Sequence, residues 1–92
     1  MQAKPDDWRL RGQDQYLAGA VLFWQRYTPF SKKWDHDHCA FCFRRFSTLD
    51  NDLHEGYATA GNVYWICEEC YEDFKEMFKW TRSETPPNAP HN

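Results

Sequence analysis

The sequence predicts a small α+β domain closed around a metal site, on three observations. Cys39, Cys42, Cys67 and Cys70 form two Cys-x-x-Cys pairs with 24 residues between them. Apolar residues recur at helical spacing over 6–28 and again after Cys67, and two short β-prone runs flank Ala60-Gly61-Asn62. At 92 residues the chain is one domain, short enough for a metal to matter to its stability.

The first element expected is a helix over 6–28, or a short turn followed by a helix. Asp6 or Asp7 caps its start, and Thr28-Pro29 ends it, because a residue before proline avoids the α region. Leu10, Leu17, Val21 and Trp24 fall on one stripe, which Tyr16, Ala20, Phe23 and Tyr27 widen. Gly12 and Gly19 each weaken such a helix by roughly 1 kcal/mol relative to alanine. A polar connector, 30–38, leads into the first cysteine pair, and 47–55 reads as a loop. Gly56–Thr59 and Val63–Ile66 then make a hairpin around Ala60-Gly61-Asn62. The last helix runs from Cys67 to about Trp80, with Glu68, Glu69, Glu72 and Asp73 early and Lys75 and Lys79 late, as its dipole favours. Residues 81–92, with three prolines, read as a flexible or extended tail outside a single domain of 1–80.

Two Cys-x-x-Cys pairs supply the four thiolate corners of a tetrahedral Zn²⁺ site and leave no coordination position open. Structural zinc in small finger peptides contributes an apparent ~10–16 kcal/mol near neutral pH. A thioredoxin-like redox pair is the competing reading, but that motif belongs beside a βαβ unit, which the pattern lacks.

The order of Cys-x-x-Cys turn, hairpin, strand and Cys-x-x-Cys opening a helix resembles the treble-clef zinc fingers over 39–80. The resemblance implies an N-terminal helix packed on a treble-clef-like knuckle, β-hairpin and C-terminal helix. Its ligands would be Cys39 and Cys42 from the knuckle and Cys67 and Cys70 from the helix start. Trp8-Arg9-x-Arg11-Gly12-Gln13, His36-Asp37-His38-Cys39, Glu55-Gly56-Tyr57-Ala58-Thr59 and Trp65-Ile66-Cys67 are similar to segments of a group of small bacterial proteins. That likeness implies a stand-alone bacterial protein and carries no activity.

Asp35-His36-Asp37-His38 has the residue types of a catalytic metal site. Some nucleases that resemble treble clefs carry such a run between their cysteine pairs; here it precedes the first pair. The expectation is therefore no enzyme. His38 also has the alternative of replacing a cysteine as ligand, and His54 reads as a loop hydrogen-bonding residue.

Net charge is −3 and the pI about 5.7, which disfavours nucleic acid and points to a protein partner of basic character. The expected role is a protein-interaction module of the inhibitor or toxin-immunity kind. Trp8, Trp34 and Trp80 are its candidate anchors if exposed, and Glu68, Glu69, Glu72, Asp73 and Glu76 its candidate acidic surface. The alternative is a nucleic-acid-binding finger, using Lys32, Lys33, Arg44 and Arg45 with Phe41, Phe43 and Phe46 stacking on bases. Met1 to Asp7 has no apolar signal core, and the Tyr16–Trp24 stretch is too short for a bilayer, so a cytoplasmic protein is expected.

Overall fold

The computed structural model describes residues 4–29, 33 and 35–83. Its elements are α1 (Asp14–Leu17), β1 (Val21–Arg26), β2 (Asp37–His38), β3 (Arg45–Phe46), β4 (Glu55–Ala58), a 3₁₀ turn (Ala60–Asn62), β5 (Trp65–Ile66), α2 (Glu68–Phe78) and β6 (Thr81–Ser83). A four-stranded sheet has the order β5-β4-β1-β6, and β2 and β3 form a separate two-stranded ribbon.

The helix expected over 6–28 is not present. One turn of helix, α1, is followed by Ala18 in extended conformation and Gly19 at φ 72°. The Gly19 amide donates to the Phe78 carbonyl at 2.7 Å, which turns the chain into β1. Leu22-Phe23-Trp24 and Tyr27 are aromatic or branched residues that suit a strand as well as a helix, and tertiary pairing decides between them. β1 sits at the sheet centre, antiparallel to β4 (Phe23↔Ala58) and parallel to β6 (Leu22↔Arg82).

The hairpin forms where expected, with Tyr57 opposite Ile66 and Ala58 opposite Trp65. Gly56 in β4 lies against the Phe46 ring. A Cβ there would come within 2.6 Å of that ring and 2.9 Å of the Ile66 carbonyl oxygen. Because one neighbour is backbone, Gly56→Ala is expected to cost about 2–3 kcal/mol in urea unfolding; an unchanged midpoint would contradict this packing.

α2 ends at Phe78, two residues earlier than expected, on Lys79 at φ 56°. Trp80 is then 9% exposed, with its indole N–H donating to the Leu17 carbonyl at 2.8 Å. Residues 81–83, expected in a tail, instead add edge strand β6; 84–92 lie outside the described residues. Tyr71 on α2 stacks on Tyr57 of β4 at 3.8 Å between centroids, and Phe74 stacks on Phe41 at 4.7 Å. Such aromatic pairs contribute roughly 0.5–1.5 kcal/mol each beyond their buried area. No helix among the described residues is long and apolar enough to cross a membrane.

Candidate metal centre

The two cysteine pairs arrive from separate structures. Between β2 and β3 the chain makes a tight turn in which the Cys39 amide donates to the Arg44 carbonyl and the Phe43 amide to the Cys39 carbonyl. This turn places Cys39 and Cys42 on one side. Cys67 is the N-cap of α2, and Cys70 lies in its first turn. The Ala40 amide donates to the Trp65 carbonyl at 2.8 Å, tying the turn to the strand that feeds α2.

All four sulfur atoms lie within 4.8 Å of one another, and those of Cys42 and Cys67 are 3.6 Å apart. A tetrahedron with Zn–S bonds of about 2.3 Å has edges of about 3.8 Å, so the cluster has the size to hold one metal ion. Cys39, Cys67 and Cys70 are buried and Cys42 is half-buried. Backbone amides of Phe41 and Cys67 point at the Cys39 sulfur (3.5 and 3.4 Å), and that of Cys70 at the Cys67 sulfur (3.4 Å). These donors and the helix N-terminus favour thiolates. Without a cation the thiols compete. The Cys67 thiol donating to Cys39 holds the Cys39 pKa down, while hydrogen bonding to Cys39 is the leading cause that raises Cys67 and Cys70. A divalent ion removes that competition by replacing the protons.

The segment from Trp8 to Gln13 wraps this centre. Arg9 donates to the Cys70 sulfur at 3.5 Å, pairs with Asp7 at 2.8 Å and Asp73 at 2.9 Å, and lies 4.5 Å above the Phe74 ring. Its guanidinium holds the Asp7 carboxyl down to about 2. Gln13, 1% exposed, donates to the Arg9 and Ala40 carbonyls and accepts from the Arg11 amide. Arg11 reaches the Ala40 and Phe41 carbonyls. Sequence reasoning missed these roles by placing the segment in a helix. The signal was there: a glutamine beside Gly12, preceded by Arg9 and Arg11, inside an otherwise apolar stripe.

The predicted partner residues separate. Trp8 is 69% exposed and lines a cavity of about 370 Å³ with Arg44, Glu69 and Cys42. Trp80 is core, so it is not an anchor, and Trp34 lies outside the described residues. Glu68, Glu69, Glu72 and Glu76 are exposed, but Asp73 is half-buried and held by Arg9, which removes it from the surface set. Glu55, Glu68, Glu69 and Glu72 line one concavity of about 450 Å³.

Of the other histidines and acids, His36 meets Asp35 at 2.9 Å, and Asp37 accepts from the Tyr27 hydroxyl at 2.9 Å. Neither His36 nor His38 joins the sulfur cluster, the one group of three or more metal-ligating side chains among the described residues. The His54 ring meets the Leu49 carbonyl at 2.7 Å, a loop contact as expected.

No family model, curated protein or solved structure matches this chain.

Proposed function

We propose that this chain is a protein-interaction module, stapled by one structural Zn²⁺ and binding a basic protein partner. Four thiolate donors are a soft set that suits zinc, and four ligands leave no site for a substrate on the ion. The order of knuckle (β2–turn–β3), hairpin (β4–β5) and ligand-bearing α2 supports a treble-clef reading. Reduced cysteine ligands fit a cytoplasmic setting. A module of this size blocks a larger partner by covering its surface, as an inhibitor or immunity protein does, and needs no catalytic group of its own.

The observation that carries the partner reading is the concavity shared by Glu55, Glu68, Glu69 and Glu72. Arg44 lines the same concavity but is paired with Glu69 at 3.0 Å, and Arg45 is paired with Asp52 at 2.7 Å. Phe41 and Phe46 are buried, so the stacking groups of the nucleic-acid alternative are reduced to Phe43. The double variant Glu68→Lys/Glu72→Lys is expected to slow association with the co-purifying partner by about tenfold or more at low salt and leave metal content unchanged. Binding of single-stranded DNA that weakens steeply with salt, without a protein partner, would favour the alternative instead.

A further inference from the structure

Among the described residues, eight large apolar side chains are prominently exposed, and four of them, Tyr16, Phe43, Val63 and Tyr64, line a single groove of about 320 Å³. Solvent-exposed apolar groups scattered singly need no explanation, but a group gathered in one concavity does.

The backbone is bent to put them there. Phe43 has φ 67°, a conformation that glycine adopts freely and a bulky aromatic residue seldom does. In the β2–β3 turn its main-chain amide donates to the Cys39 carbonyl, while its ring is 57% exposed. Gly61 at φ 76° and Asn62 at φ 58° likewise form the turn that precedes exposed Val63 and Tyr64. Backbone strain around a bulky exposed group is where function is sought.

The groove is also ordered in advance. Tyr16 packs on Tyr64 at 4.7 Å between centroids. The Arg11 guanidinium lies 4.1 Å from the Phe43 centroid, fixed through Nη2 to the Ala40 and Phe41 carbonyls. Its Nε and Nη1 make no hydrogen bond among the described residues. Held side chains lose little entropy on binding.

We infer that this groove seats an apolar side chain of an extended peptide segment from a protein partner, with an adjacent carboxylate on Arg11. The inference rests on the interaction-module reading and deepens it: the acidic face of α2 attracts the partner, and the groove anchors it. Charge selects peptide over nucleic acid. Among the described residues, Arg11 is the lone arginine or lysine lining the groove and Asp37 lines it too, which matches one acid rather than a phosphate at every nucleotide.

A random-peptide library panned against the zinc-loaded protein tests this. The enriched peptides are expected to share a large apolar residue beside Asp or Glu. Their affinity should fall about tenfold or more in Phe43→Gly, as loss of an anchoring aromatic does, with circular dichroism and metal content unchanged. Phe43→Asn, which also tolerates the left-handed conformation, and Val63→Ser provide the same readout should Phe43→Gly misfold. Glu68→Lys/Glu72→Lys should leave peptide affinity intact. Peptides without that pairing, or equal binding by the groove variants, would overturn the inference. So would a self-association, or an oligo-dT affinity, that Phe43→Gly abolishes. Whole-partner capture that survives Phe43→Gly but not the α2 charge reversal would overturn the groove alone. Failure to find any protein partner would instead overturn the interaction-module reading.

Discussion

A strong chelator is expected to unfold this domain, abolishing the near-ultraviolet dichroism of its buried aromatics together with its helix signal, and a single equivalent of Zn²⁺ is expected to restore both. The sulfur cluster joins the β2–β3 turn to the start of α2, and Phe41, inside that turn, stacks on Phe74 of α2. Metal binding of ~10–16 kcal/mol, the range for zinc-finger peptides, equals or exceeds the whole folding stability of an ordinary small domain. The individual cysteines should differ. Cys67→Ser removes a fully buried ligand, and the serine hydroxyl preserves only the cap of α2, whereas Cys42 is half-buried. Cys67→Ser should therefore leave no cooperative melt, and Cys42→Ser a weakened one. Acid should release the ion as the thiolates protonate. A chelated protein that kept its cooperative transition would refute the structural role of the metal.

Arg9→Met is expected to lower stability by about 2–4 kcal/mol in urea denaturation of the metal-loaded protein. That lies between an exposed ion pair, about 0–1 kcal/mol, and the loss of one partner from a buried pair, about 3–5. The intermediate value follows from side chains 11% exposed at Arg9 and 22% at Asp73. Because Arg9 also donates to the Cys70 sulfur, metal should be held about 10–100-fold more weakly, measured by competition with a chromophoric chelator. Arg9→Lys should recover little of this, since one ammonium cannot span Asp7, Asp73 and the sulfur as a planar fork does. An Arg9→Met protein matching the parent in both measurements would refute this role.

The parts of the structure written in local chemistry were legible. Four thiols at fixed spacing have few other uses in a short chain, and Ala60-Gly61-Asn62 between β-prone runs specifies its own turn. The start of α2 was readable because Cys67, Glu68 and Glu69 cap and polarise it. The N-terminal third was not, since its conformation is set from far away. β1 is a strand because β4 and β6 pair with it, and Gly19 turns because Phe78 accepts its amide. Arg9 and Gln13 gain their roles only when the knuckle arrives beside them. The acidic surface was half legible: charge shows in a sequence, but the burial of Asp73 and Trp80 does not.

The placement of β6 has a consequence for biosynthesis. Val21 pairs with Thr81, so the central strand waits for a neighbour made 60 residues later. Every cysteine has been synthesised before that strand exists. On the ribosome, the metal-binding half has its full set of ligands while β1 still has an unpaired edge, and unpaired edges invite aggregation. Ser83 must emerge before that edge is covered, which makes early metal loading the safer order of assembly.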